Sequence, residues 1–581
     1  MSPFALWMPA LTLALPLLLA CAWALPARWH GLLHRLTALA PLPALLLALL
    51  APTDLTLLLP DVLLGGFWLL DDLARALLTA TALLWLLAGL YALRYPLAAE
   101  KKPTDEGGQP GGSARRFQVF WLLTLAGNLG LLVSRDIAGF YTCFALMTFA
   151  GYGLVVHTGR AAARRAGRLY LVMAVIGEML ILSGLILAAS GAGAPALQSL
   201  PEAIAGHRHS AWLAALLWLG FGVKAGLAGL HMWLPLAHPV APTPASAVLS
   251  GAMIKAGLLG WWLTLPLGLS ALPWAEIAVI AALVAALGGA LIGVTQQQAK
   301  AVLAYSSISQ MGLITVMMAA GLMAPGLWPV LGPATLLYAL HHALAKGALF
   351  LGVNGLAPRW RPLLWLPALS LAGLPLTTGA AAKLTMKAGL YELAFPGLML
   401  WLSLAAVGTT LLMVRFMFCL QREAGDTAPA GLMQGATLAA VLASVTGVVW
   451  AVPGMAADWG QRWAGAGDLW GLVWPVGVGV LVGGACRAVW LRSARTTTRG
   501  PGVPAGDIVV LIEAAVRGVI RLWQRRPGKD WRWEKVVQWE DQHLHQIGDL
   551  ALRAERHLQR WPVMLFVLLA LILSGLLLMA R

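Results

Sequence analysis

The sequence predicts an all-α protein that crosses a membrane many times, and three observations carry that prediction. Of 581 residues, 60% are hydrophobic and only 11% are charged, against about 25% charged in a soluble domain. Apolar stretches of about 20 residues, each long enough to cross a bilayer as a helix, recur along the chain. The basic residues gather mainly in the short segments between these stretches, as the positive-inside rule leads one to expect. The stretches are too long and too continuously apolar for barrel strands. The expected architecture is about 14–16 transmembrane helices, with two inverted repeats that each contain a broken helix. A C-terminal in-plane amphipathic helix and a final anchoring helix complete it.

Residues 1–114 hold the N-terminal transmembrane helices. The first apolar segment, Phe4 to Leu25, could be a signal peptide. Its uncharged N-terminal flank, and Arg28 and Arg35 just after it, favour a retained helix with its N-terminus outside. On that orientation the basic segments Arg28 to Arg35, Arg94 to Arg116, Arg160 to Arg168, Arg359 to Arg361 and Arg492 to Arg499 all fall on the cytoplasmic side. The acidic positions Asp54, Asp61, Asp71 and Asp72 fall outside. The segment Lys101 to Ser113, rich in Gly, Pro and charge, reads as a solvated loop.

Residues 115–270 and 271–420 read as the two repeats, because each contains an interrupted span. The first interruption lies within Ala211 to Pro244, with Gly220, Gly222, Gly226, Gly229, Pro235 and Pro239. The second lies within Leu364 to Leu393, with Pro367, Pro375 and Gly379. A lysine stands near each: Lys224 and Lys383. Interrupted spans in corresponding positions are a design for ion sites at the bilayer midplane. The ordinary alternative is a pair of kinks, which membrane helices tolerate.

Residues 421–500 supply further transmembrane helices, after which the pattern changes. From Asp507 to Arg526, the apolar residues Ile508, Leu511, Ile512, Ala515, Val519 and Leu522 recur at helical spacing. Arg517, Arg521 and Arg525 form another stripe. This predicts a helix lying along a membrane face or a partner. With a second polar helix it makes a lateral arm over 501–560, placed on the cytoplasmic side, and 561–581 is the anchor. The alternative is a solvated tail with a simple anchor.

The net charge of +16 is explained by the loops and does not point to nucleic acid. Cys21, Cys143, Cys419 and Cys486 form no CxxC pair, so no metal site and no cofactor is expected. Any electron transfer would belong to partner subunits.

The candidate functional residues are ionisable groups inside apolar spans. A charge at the bilayer centre costs about 3 kcal/mol or more and needs a partner, water or a function. Glu178, Lys224, Lys255, His341, His342, Lys346 and Lys383 are such groups, with His231, His238, Lys300 and Lys387 as secondary candidates. His342 and Lys346 are four apart and share a helix face, as are Lys383 and Lys387. Low dielectric disfavours a charged ammonium, so a buried lysine can exchange its proton, and a histidine does so near neutrality. A row of such groups reads as a path for protons or other cations. Taken singly, each has a duller explanation: a lysine snorkelling from a helix end or a histidine bonded to a carbonyl.

The stretch from His231 to Gly260, HMWLPLAHPVAPTPASAVLSGAMIKAGLLG, resembles the antiporter-like subunits shared by complex I, Mrp cation/proton antiporters and membrane-bound hydrogenases. QQQAKAVLAYSSISQMG (Gln296 to Gly312), HHALAKGALFL (His341 to Leu351) and LAGLPLTTGAAAK (Leu371 to Lys383) extend the resemblance. It covers about residues 115–420, and the wording of the first motif is nearest to the hydrogenase and Mrp subunits. The resemblance implies that Lys224 is the lysine of the first broken helix. It makes Lys255, His342 and Lys346 the central connecting residues, and Lys383 the lysine of the second break, on the exit half. The family's fifth span carries a glutamate that pairs with the first lysine. Here FYTCFALMTFAGYGLV, from Phe140 to Val155, places Ala145 at that position. Glu178, on the sixth span, is the expected substitute.

The expected function is proton or cation translocation across a bacterial-type cytoplasmic membrane by one subunit of a multisubunit complex. The partners would be other membrane subunits, gripped by the lateral arm, and lipid. Two alternatives stand beside it. One is the membrane subunit of a proton-driven inorganic-carbon uptake system. The other, to which Ala145 lends weight, is a scaffold that conducts nothing.

Overall fold

The computed structural model describes residues 3–52, 54–59, 65–95, 114–192, 196–423, 429–447 and 466–495. The lateral arm, the anchor and the segment Lys101 to Ser113 lie outside the described residues. The helices are α1 (Pro3–Ala22), α2 (His30–Leu39), α3 (Leu42–Leu50), α4 (Asp72–Ala92), α5 (Ala114–Val133), α6 (Ile137–Val155) and α7 (Ala161–Ala192). Then come α8 (Leu200–Ala205), α9 (Ser210–Ala225), α10 (Trp233–Val240), α11 (Thr243–Val248), α12 (Lys255–Thr264), α13 (Ala275–Gly293) and α14 (Ala299–Met323). The remainder are α15 (Trp328–Gly355), α16 (Trp365–Ala372), α17 (Thr378–Leu390), α18 (Leu398–Glu423), α19 (Gly431–Leu442) and α20 (Ala466–Arg495). Among the described residues, eleven helical segments are long and apolar enough to cross a membrane, and three shorter apolar helices accompany them. The chain is a multi-pass membrane protein.

Sides are sorted as a bilayer demands. On α7, Val172, Met179 and Ile186 are exposed at seven-residue intervals, and on α13 Ile277, Val284 and Leu291 repeat the spacing. These are apolar stripes on the outside of the bundle. By contrast α14 is buried over its whole spanning window and α15 over nearly all of it. A helix that is apolar all round and carries buried polar groups belongs at the centre of a bundle. The helices α12, α14, α15 and α17 surround that centre, and α15 packs against both α14 and α17.

Small residues let neighbours approach. A Cβ on Gly220 of α9 would lie 2.9 Å from Ile181 N and 3.0 Å from Gly177 O of α7. Close backbone contact of this kind replaces the hydrophobic drive that lipid removes. Gly220 therefore serves helix approach, whereas the first break itself lies further on. There α9 stops at Gly226 (φ +79°), a second left-handed glycine follows at Gly229, and α10 starts at Trp233. The second break runs between α16 and α17, with Gly373 at φ +97° and Leu376 also left-handed.

One feature departs from an all-α reading. β1 (Leu55–Leu59) and β2 (Gly66–Leu70) pair as an antiparallel hairpin. Apolar alternation is poor in both, and tertiary ties hold them. Phe67 N donates to Asp136 Oδ2 at 3.0 Å, and Arg135 N donates to Phe67 O at 2.7 Å. Arg135, fully buried, also reaches back to Asp71 through a two-pronged ion pair at 3.0 Å. Asp71 in turn caps α4, accepting from Ala74 N at 2.7 Å.

Candidate functional site: a row of buried cations

Lys224, Lys255, Lys346 and Lys383 are all at most 5% exposed, as are His238, His341 and His342. They fall into three neighbourhoods along the bundle.

The centre is built on α12 and α15. Between α11 and α12 the helix widens into a π turn, Leu249–Met253. Such a bulge frees a carbonyl from the regular ladder. The Ser250 carbonyl, five residues back, accepts from Lys255 Nζ at 3.0 Å, and the same ammonium lies 2.8 Å from His342 Nδ1. Ser250 Oγ meets Ser307 Oγ of α14 at 2.7 Å. One turn on from His342, Lys346 Nζ donates to the Leu303 carbonyl at 2.8 Å and to Ser306 Oγ at 2.7 Å. The centre thus holds two lysines on neutral oxygens and a histidine on one of those lysines, without a carboxylate among these partners.

His341 is the neighbour of His342 in sequence but sits about 100° round the helix, since a turn takes 3.6 residues. It faces the second break. His341 Nδ1 lies 2.8 Å from Thr378 Oγ1, which donates to the Ser444 carbonyl at 3.0 Å. Five residues into α17, Lys383 Nζ donates at 2.7 Å to the carbonyl of Ala372, the last residue of α16. A broken helix leaves its final carbonyls without intrahelical partners, and its negative dipole end favours a cation. The residues Gly379 and Gly373 permit this approach: a Cβ on Gly373 would lie 2.8 Å from the Lys383 side chain. Lys387 continues outward, donating to Ser403 Oγ at 3.1 Å and the Gly471 carbonyl at 3.3 Å.

The third neighbourhood is at the first break. Lys224, in the last turn of α9, donates to Tyr170 Oη at 3.2 Å. Glu178 lies on α7, two turns along from Tyr170, and is the opposite charge that acts on Lys224. The two head groups make no direct hydrogen bond: neither carboxylate oxygen has a partner in bonding geometry, although the hydroxyls of Thr148 and Tyr141 stand near. Both residues line one cavity of about 20 Å³ with Phe144, Thr148, Tyr170 and Trp233, room for about one water.

Secondary candidates divide. His238 is buried on α10, stacks on Phe350 at 4.6 Å, and has no hydrogen-bond partner for either ring nitrogen. The charges that act on it are those of Lys346 and Lys300. Lys300, half-buried at the start of α14, donates to the Ala241 carbonyl at 2.7 Å. His231 is buried within the first break.

Sequence reasoning did not single out Tyr170, Ser250, Ser306, Ser307 or Thr378. Isolated hydroxyls and one aromatic residue carry no periodic signal, so only the packing of α7, α14, α17 and the π turn Leu249–Met253 reveals them. Nor did it find the polar bridge from Tyr338 Oη to Gln310 Oε1 (3.0 Å) and from Gln310 Nε2 to Thr409 Oγ1 (2.9 Å), which ties α15 to α14 and α18.

Buried lysines and histidines, two interrupted helices and exposed apolar stripes define a multi-pass membrane protein with ionisable groups in its core. Residues 134–363 match the family described as NADH:quinone oxidoreductase/Mrp antiporter, transmembrane. The chain is 32% identical over 301 residues to hydrogenase-4 component B of Escherichia coli, an alignment covering 50% of this chain and 43% of that protein. It is 30% identical over 344 residues to the A/B component of a probable K(+)/H(+) antiporter of Rhizobium meliloti, covering 55% of this chain and 32% of that one. The chain therefore spans less than half the length of either relative. Its fold matches a chain in the Mrp complex of a Dietzia species with a TM-score of 0.68 at 23% identity, over 93% of this chain and 63% of that chain.

Proposed function

We propose that this chain carries protons, or another small cation, across a cytoplasmic membrane as the antiporter-like subunit of a multisubunit complex. The observation that carries the reading is the central cluster. Lys255, His342 and Lys346 are buried among helices; the two lysines bond to carbonyls and a hydroxyl, and His342 bonds to Lys255. Three basic groups in one apolar core are costly. They are intelligible if the cluster passes protons and at any time holds fewer charges than groups.

On this reading Lys224 and Lys383 serve the two ends. Each stands at a helix break, and residues 115–270 and 271–420 are inverted repeats of one half-channel. Glu178 takes the place of the glutamate that Ala145 lacks, acting on Lys224 across the water-sized cavity. The N-terminus faces outward, and the arm over 501–560 lies along the cytoplasmic side, gripping neighbouring membrane subunits. The names of the relatives, a hydrogenase component and an antiporter component, support membership of a complex.

The scaffold reading draws on Ala145, where the resemblance places a glutamate, and on the missing direct bond between Lys224 and Glu178. A membrane protein for inorganic-carbon uptake would share the fold. Reconstitution of the complex in vesicles, with proton flux measured for Lys224→Ala and Lys383→Ala, separates conduction from scaffolding. Large losses in both are expected; unchanged flux in both defeats the proposal.

A further inference from the structure

Lys224 is held in a place that does not depend on its carboxylate. Its ammonium donates to Tyr170 Oη at 3.2 Å, with the Tyr170 ring centroid 5.4 Å away behind the hydroxyl, and lies over the Trp233 ring, 5.8 Å from its centroid. Cations are attracted to such faces, more so when desolvated. The cage is itself fixed. Tyr170 Oη donates to the Thr148 carbonyl at 2.8 Å, Trp233 Nε1 donates to the Val223 carbonyl at 2.8 Å, and the rings meet edge to face at 5.2 Å and 82°. Gly151 makes space for the phenol, since a Cβ there would lie 2.9 Å from Tyr170 Oη and 2.8 Å from Met253 Cε.

Opposite the cage stands Glu178, 4% exposed, lining the shared cavity, with the Thr148 and Tyr141 hydroxyls near and neither carboxylate oxygen in hydrogen-bonding geometry with a partner. A buried carboxylate without a hydrogen-bond partner is costly, and a lysine has three donors on a flexible stem. One donor reaches Tyr170; the others are available to the cavity.

We propose that Tyr170 is a positioning residue that gives Lys224 one of two docking places, the carboxylate of Glu178 across the cavity being the other. The caged place is the one occupied in this structure. Movement of the ammonium between the two places, with no covalent bond made or broken, sets which neighbours it can exchange protons with. A phenol hydroxyl thereby does part of the work that a carboxylate at Ala145 would do. This inference rests on the transport reading, and its test keeps the two apart.

The test uses the full-length protein in its complex, with a single-particle structure and vesicle proton flux for each variant. Tyr170→Phe keeps the ring and removes the hydroxyl. The expected structure has Lys224 Nζ within about 4 Å of a Glu178 oxygen, the distance of an ion pair. The expected flux falls about tenfold, the scale of one lost hydrogen bond to a charged group. Adding Glu178→Gln then deepens the loss by less than about twofold, because two losses at one coupled site do not add. A merely structural role would give losses that multiply. Lys224 remaining in place, unchanged flux or multiplying losses overturns the proposal. Should Tyr170→Phe fail to fold, Gly151→Ala displaces the same hydroxyl and must move Lys224 in the same direction. If Lys224→Ala and Lys383→Ala both keep wild-type flux, the transport reading fails, and the position of Lys224 in the variants still decides the docking claim.

Discussion

Gly379→Ala tests how tightly the second break holds its lysine. A methyl group at Gly379 would sit 1.8 Å from the Ser370 carbonyl oxygen and 2.7 Å from His341 Nε2. The first obstacle is backbone, so no side chain can rotate away. To restore 3.0 Å, α17 must retreat from the end of α16 by about 1.2 Å. That retreat draws Lys383 away from the Ala372 carbonyl, now 2.7 Å from its ammonium, and stretches the contact beyond hydrogen-bonding range. Overpacking costs about 1–3 kcal/mol, and a lost hydrogen bond to a charged group about 1.5–3 kcal/mol. A total of about 3 kcal/mol is expected. In thermal unfolding of the purified protein, Gly379→Ala should melt several degrees below wild type. Its proton flux in vesicles should fall by more than the loss of folded protein explains. Gly288→Ala is the control, since nothing lies within 4 Å of the added methyl. If Gly379→Ala matches Gly288→Ala in both assays, the close approach of α17 to α16 is not what positions Lys383.

Two further substitutions probe the hairpin and the first break. Arg135→Ala removes the guanidinium that binds Asp71 and the Leu132 and Ser134 carbonyls; because Asp71 is partly exposed, a loss of about 2–3 kcal/mol is expected, read as a lower melting temperature with faster amide exchange in β1 and β2. Ala145→Glu places a carboxylate on the same face of α6 as Tyr141 and Thr148; in a Glu178→Gln background it should recover most of the lost flux, and no recovery would show that Glu178 does not substitute for that position.

Much of this architecture was legible because membranes impose a simple code. Apolar length gives the spans, basic loops separate them, and a glycine beside a buried lysine marks an interruption. Gly226 and Gly373 stand at the two breaks with positive φ, a conformation that few other residues adopt easily. The lysines were legible because a charge in an apolar run is conspicuous. What they bond to was not. The π turn that turns the Ser250 carbonyl toward Lys255 has no periodic signature. His341 and His342 look like one site in the sequence, yet they serve different neighbours because adjacent helical residues diverge. Tyr170 carried no signal, since its role depends on α6, α9 and α10 converging on it. The hairpin at Leu55–Leu59 and Gly66–Leu70 was missed for the same reason: its strands are held by Arg135 and Asp136, about 65 residues or more away in the chain.

If the buried basic groups form a path, Lys255 is its midpoint, joined to both the Ser250 carbonyl and His342. Lys255→Met keeps an unbranched apolar stem, and replacing a buried charge by an apolar group of similar volume is often neutral or stabilising. The measurement is proton flux in vesicles containing the intact complex, beside a melting curve for the same preparation. A path through Lys255 predicts flux at background with a melting temperature equal to or above wild type. Wild-type flux from the folded variant would contradict it.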